Sequence, residues 1–189
     1  MSCRPLPGMM MIGFDMLDRT DPEPLFAAPF VSSIMRLEPQ WIDYNGHLNV
    51  AYYNVLFDRA VDEVYELIGL GPAYLERTKR STMVVEAHVR YLRELKLEEP
   101  VRVTVQLLDF DAKRIHIFEE LRHATENWVS ATSENMTLSV DMTAKKVAPF
   151  SDNVLRLLER MKTAHAALPL PESAGRSVKM PARSARNQE

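Results

Sequence analysis

The period of apolar and polar positions changes from strand to helix early in the chain and then changes back. Phe30 to Leu37 reads as a first strand, ended by Pro39, because the residue before a proline is held in extended backbone. From Asn49 to Ile68, Tyr52, Leu56, Ala60, Val64, Leu67 and Ile68 recur at three- and four-residue spacing, leaving Asp58, Asp62, Glu63 and Glu66 for other faces. That spacing predicts a helix of about five turns. Gly69 and Gly71-Pro72 stop it, since glycine accepts a left-handed cap and proline cannot continue the ladder. Its N-cap is Asn49 or Asn45.

After a polar link the strand period returns. Thr82 to Leu92 is rich in Val, His and Tyr; Val101, Val103, Val105 and Leu107 alternate with Arg102, Thr104 and Gln106; Ile115 and Ile117 alternate with Arg114 and His116. Residues 109–113 form a compact turn between two of these strands. Trp128 to Val140 begins another strand, whose apolar phase moves from Val129 and Ala131 to Met136, Leu138 and Val140, which suggests a bulge between them. Ser151 is placed to cap a final helix carrying Val154, Leu155, Leu158 and Met161. Strand, long helix, then four strands is an antiparallel α+β layout in which one helix covers one sheet face.

Prolines mark the ends. Pro5, Pro7, Pro22 and Pro24 fall in residues 1–28, read as an irregular N-terminal tail, and Pro169, Pro171 and Pro181 fall in 169–189, read as a flexible C-terminal tail. The expected domain is 29–168. With 189 residues, 46% apolar and 26% charged, the chain has the makings of one soluble globular domain with a real core. A formal net charge of −3 gives no reason to expect nucleic acid. No apolar run reaches the roughly 18 residues of a spanning helix, so no membrane partner is expected. Asp15, Asp18 and Asp21 interrupt the stretch after Met9-Met10-Met11, against a signal peptide, and the single Cys3 excludes an internal disulfide. A cytoplasmic protein is the expectation.

Chemistry concentrates between Trp41 and Asn49, where Asp43, Asn45 and His47 stand at alternate positions just before the helix. If the segment is extended, alternate residues share a side and the three converge on one ligand. The helix adds unpaired N–H groups and the positive end of its dipole. A base, an amide and an imidazole beside an oxyanion-binding helix end suit attack on an activated acyl carbonyl. Each residue also has a plainer role: Asp43 as a turn brace, Asn45 as a left-handed turn residue, His47 as a structural imidazole, Gly46 as the turn's conformational freedom. Glu86, in the apolar run Met83-Val84-Val85-Glu86-Ala87, faces a polar cavity or solvent, because burial without a partner is too costly. No HExxH or paired-cysteine spacing suggests a metal, and Gly69-Leu70-Gly71-Pro72 follows a helix, contrary to phosphate-loop logic.

Asp43-Tyr44-Asn45-Gly46-His47-Leu48-Asn49 and the element order resemble the hotdog-fold acyl-CoA thioesterases of the 4-hydroxybenzoyl-CoA thioesterase superfamily, in which a curved antiparallel sheet wraps one long central helix. Val50 stands where the familiar motif has a second asparagine. Tyr91-Leu92 with Lys96-Leu97, Asp111-Ala112-Lys113-Arg114 and Ala148-Pro149-Phe150 add a narrower resemblance to bacterial thioesterases of carnitine breakdown, with betainyl-CoA as substrate. The resemblance implies acyl-CoA hydrolysis with Asp43 activating water or attacking directly, Asn45 positioning, His47 assisting and Glu86 completing the site. It implies no cofactor beyond the CoA of the substrate, and a homodimer or dimer of dimers with the site across the subunit interface. Gly46, Asn49, Tyr44, Tyr52, Tyr53 and Tyr91 are the candidate substrate contacts, the tyrosines because aromatic faces attract a quaternary ammonium. The alternatives are a hotdog enoyl-CoA hydratase, whose usual loop carries a proline where Gly46 stands, and a non-catalytic acyl-CoA-binding module, which would replace Asp43 by an apolar residue.

Overall fold

The structure, a computed structural model, describes residues 26–180. Cys3 and nearly all of the expected N-terminal tail lie outside those residues, as does the end of the C-terminal one. Among the described residues seven strands form one antiparallel sheet: β1 (Phe30–Val31), β2 (Met35–Arg36), β3 (Arg80–Tyr91), β4 (Pro100–Phe110), β5 (Arg114–His123), β6 (Val129–Asp141) and β7 (Lys146–Val147). Their order is β1-β4-β5-β6-β3, with β2 also pairing β4 and β7 pairing β6. Helix α1 (Val50–Leu67) lies on one face, and α2 (Pro72–Thr78) and α3 (Asp152–His165) complete the α+β hotdog layout.

The strict alternation of β4 does what it predicts. Val101, Val103 and Val105 are wholly buried and Leu107 nearly so, against Leu56, Ala60 and Val64 of α1, which are buried in the same core. The expected strand over Phe30 to Leu37 is instead broken into β1 and β2. At the break the Ser32 hydroxyl accepts the Val103 N–H at 2.9 Å, while the Ser33 N–H goes to the Glu63 carboxylate at 3.0 Å. Side-chain oxygens there take hydrogen bonds that a continuous ladder would use.

Asn49 is the N-cap of α1, its Oδ1 accepting the Ala51 N–H at 3.0 Å. Gly69 at φ +74° ends that helix in the left-handed region, as its position predicted. The expected polar link contains α2, because Pro72 at the first helical position has its φ preset and no N–H to lose. In α3, Leu157 joins Val154, Leu158 and Met161 in the buried stripe, while Leu155 is only half-buried. Buried His165 at the end of α3 accepts the Leu107 N–H at 2.9 Å through Nδ1 and donates from Nε2 to the Ala27 carbonyl at 3.0 Å. Beyond Leu168 the chain remains in contact with the sheet: Gln106 donates to the Pro169 carbonyl, and the Gly175 N–H reaches Glu134 at 2.8 Å.

β6 departs from its expected orientation. A register shift against β5 falls at Ser130, before Ala131 instead of between Ala131 and Met136, and of the three later apolar residues Val140 alone is buried. Ala131, Ser133, Asn135, Thr137 and Ser139 are the buried alternate positions, and Met136 and Leu138 are only half-buried. A mostly polar side of β6 therefore faces inward. It lines a cavity of about 820 Å³ bounded by α1, β3, β5 and β6.

Candidate active site

Residues 43–47 form a tight turn, not an extended strand. Ile42 and Leu48 bridge across it, the Asp43 N–H donates to the His47 carbonyl at 2.9 Å, and Gly46 takes φ +80°. Only glycine enters that region cheaply, so the sequence expectation for Gly46 stands as a turn requirement. Asp43 Oδ1 accepts the Asn45 N–H at 2.8 Å and lies 3.5 Å from the His47 N–H. Asp43 thus braces its own turn with one oxygen. Among the described residues Oδ2 has no hydrogen-bond partner, which leaves it for water or substrate.

Asp43, His47, Val50, Tyr53 and Tyr91 line a small open pocket of about 360 Å³ together with residues 92–94. It sits where the turn enters α1. The first-turn amides are not all free to bind an oxyanion: Ala51 donates to its cap and Tyr52 to the Asn49 carbonyl at 3.0 Å. Among the described residues the Val50 N–H has no partner, and Val50 lines the pocket. The donor the dipole argument asked for is one specific amide.

The imidazole is held by a residue the sequence reading missed. His47 Nε2 lies 3.2 Å from Glu94 Oε2, and His47 meets Asp43 through its backbone N–H and carbonyl, not through the ring. Glu94 follows the end of β3 among several acidic residues, a pattern with no spacing signal. Tyr53 is buried and meets Tyr91 edge-to-face at 5.0 Å, so two of the four candidate tyrosines reach the pocket. Burial comes first among the causes that raise the Tyr53 hydroxyl above its ordinary pKa. Tyr44 is 97% exposed and Tyr52 stacks on Trp41 at 5.3 Å, so neither lines it. Asn45 is exposed, and Asn49 is spent on the cap. Glu86 lies on the exposed stretch of β3, five residues before Tyr91, and lines neither cavity within one chain.

Among the arginines, Arg93 lines this pocket, with its guanidinium 3.9 Å above the Trp128 ring. Arg114 is tied to Asp111 at 2.6 Å, and Arg80 donates to the Pro149 carbonyl. A carboxylate oxygen, a helix-start amide and an imidazole–carboxylate pair around one open pocket can activate water and stabilise an oxyanion. Residues 37–158, which include this turn, α1 and β3 to β6, match the thioesterase-like superfamily. The chain belongs to that superfamily. It has the hotdog fold, and acyl-CoA thioester hydrolysis is the activity that this membership supports.

Two relatives narrow the comparison. The chain is 38% identical over 143 residues to the betainyl-CoA thioesterase of Pseudomonas aeruginosa, covering 76% of this chain and 90% of that protein. It is 39% identical to an L-carnitine dehydrogenase/betainyl-CoA thioesterase of Rhizobium meliloti, of which it spans 29%. Among solved structures, a putative thioesterase of Pseudomonas putida superposes with TM-score 0.71 at 33% identity, covering 82% of this chain and 98% of that one. A Staphylococcus aureus protein in complex with CoA superposes with TM-score 0.77 over 84% of this chain and 99% of that one, at 23% identity, and so speaks to the fold.

Proposed function

We propose that this thioesterase hydrolyses betainyl-CoA at the Asp43 pocket. The observation that carries the site is that Asp43, whose Oδ2 has no partner among the described residues, and Val50, whose N–H has none among them, line one pocket. The substrate rests on the betainyl-CoA thioesterase named above, matched over most of both chains. Asp43 Oδ2 takes the proton of a water whose oxygen adds to the thioester carbonyl, or itself adds to give a mixed anhydride that water then opens. The Val50 amide receives the charge that develops on the carbonyl oxygen. In either route the C–S bond breaks with the electron pair on sulfur, and CoA leaves as the thiol after protonation, for which His47 held by Glu94 is the nearest imidazole. One oxyanion donor of this kind contributes about 2.7–4 kcal/mol in well-studied enzymes.

Free-thiol release from betainyl-CoA and from neutral short-chain, long-chain and aromatic acyl-CoAs tests the reading. Betainyl-CoA is expected to give the highest kcat/KM, and Asp43→Asn to lower it by at least about 10²-fold in a folded protein. A neutral substrate ahead by more than about tenfold defeats the betaine assignment, and full activity in Asp43→Asn defeats the site.

The functional unit in this reading is a homodimer joined along β3. Among the described residues that strand pairs β6 on one side only, and Met83, Val84 and Val85 are about half exposed along it. Pairing two copies along this edge satisfies the open ladder and covers those side chains. Light scattering is expected to give a mass of two chains or a multiple of two. A fully active monomer contradicts it.

A further inference from the structure

The larger cavity, between α1 and strands β3, β5 and β6, is separate in its lining from the Asp43 pocket. Its floor is Glu119 of β5, which is 0% exposed. Glu119 Oε2 accepts from Asn135 Nδ2 at 2.5 Å, while among the described residues Oε1 has no hydrogen-bond partner. Its rim carries Asp58, Asp62 and Glu66, spaced by four on one face of α1, and among the described residues no lysine, arginine or histidine lines it. Four carboxyl groups with no cation repel the phosphates of CoA and attract a positive charge. Part of the wall is hydrocarbon and aromatic, from Val55, Phe57, Val61, Ile117 and the Tyr65 ring, and the β6 side of it is polar, from Ser133, Asn135 and Thr137.

We propose that this cavity binds a small organic cation of the quaternary ammonium class, with Glu119 as its buried counter-charge. Alkylated nitrogen presents methyl groups to an apolar wall, gains from aromatic faces and offers no N–H that would demand several acceptors. A compact inorganic ion is a poorer match, since among the described residues no three acidic or imidazole groups are placed to hold a metal. Unliganded, Glu119 holds its proton to about pH 8, chiefly through burial; Ser133 and Asn135 of β6 oppose that rise and Asp58 of α1 adds to it. Near neutral pH, an arriving cation therefore displaces a proton. Register places Glu119 beside Ser133 and, across β6, level with Val89, two residues before Tyr91 of the Asp43 pocket. The cation arrives either as the acyl head group of the substrate or as a free ammonium ligand; the first route rests on the betainyl-CoA reading, the second does not.

The full chain and Glu119→Gln are compared in two measurements. Calorimetric titration with tetramethylammonium chloride, against sodium chloride at equal ionic strength, is expected to show binding to the wild type with proton release at pH 7, weakened at least tenfold in Glu119→Gln and less in Asp58→Asn. Steady-state kinetics compare betainyl-CoA with 3,3-dimethylbutyryl-CoA, its uncharged isostere in shape. A fall of at least tenfold in the kcat/KM ratio of the two in Glu119→Gln assigns the cavity to the acyl head group. An unchanged ratio with lost tetramethylammonium binding assigns it to a free ligand. The proposal is overturned if tetramethylammonium titrates both proteins alike, or neither, and the ratio also stays the same. If the wild type cleaves neither thioester, the hydrolysis reading fails, and the titration still decides on the cavity.

Discussion

The two flanks of α1 meet opposite kinds of surface. Toward β4 the helix finds Val101, Val103, Val105 and Leu107, a sealed layer of branched hydrocarbon. Toward β5 and β6 it finds Glu119, Ser133, Asn135 and Thr137, all buried, around a hollow. A sheet face of one composition would either close the hollow or leave the domain without a core. By grading from apolar to polar across neighbouring strands, the chain keeps its stability on one flank and leaves the other free to differ in shape and charge.

The contrast is broken most severely by carrying polarity to the sealed side. Val103→Asn, at a wholly buried position paired with Leu121, is expected to destabilise by about 3 kcal/mol, from an amide without partners plus lost apolar burial. Chemical denaturation measures it; a loss under about 1 kcal/mol would mean the β4 flank is as tolerant as the β6 flank.

Glu119→Gln is expected to stabilise the unliganded protein, and its pH dependence sharpens the point. The folded carboxyl titrates at about 8, against an ordinary value of 4.5. Its stabilising contribution is thus complete below about pH 4.5 and is lost progressively as pH rises through 8. Glutamine does not titrate, so the Tm of the variant relative to wild type should climb from pH 4.5 to 8 and then level off. Equal differences at pH 5 and pH 8 would show that Glu119 is ionised in the folded state. The smallest effect is expected at Ser139, whose buried hydroxyl has no partner among the described residues. Ser139→Ala should lie between neutral and about 1 kcal/mol stabilising, since no hydrogen bond is lost.

Legibility from sequence followed the same divide. β4 and α1 could be read because burial there is uniform, so periodicity reports it directly. β6 could not: Ser133, Asn135, Thr137 and Ser139 are buried, while a rule that sends apolar residues inward selects Met136 and Leu138 along with the buried Val140. Glu119 carries no signal at all, standing one residue before Glu120 in a strand where one carboxylate is half-buried and the other is the floor of a cavity. In the Asp43 loop the residue types were informative and the geometry was not. Asp43 and His47 do line one pocket, through a glycine-dependent turn instead of strand alternation, and Glu94 arrives from a segment about 50 residues later in the chain.

In the proposed dimer, the open edge of β3 also matters before two copies have met. A newly folded copy carries twelve residues of unpaired ladder with Val84 and Val85 among them, which is a template for any extended chain nearby. The register break between Val84 and Glu86 interrupts the regular pairing of that strand, and Glu86 and Arg90 place charge along it. An indiscriminate strand would have to accommodate that interruption and leave those charges badly matched, whereas a second copy can offer the same features in reverse order. In the proposed dimer, the edge would thereby favour a second copy over an unrelated chain.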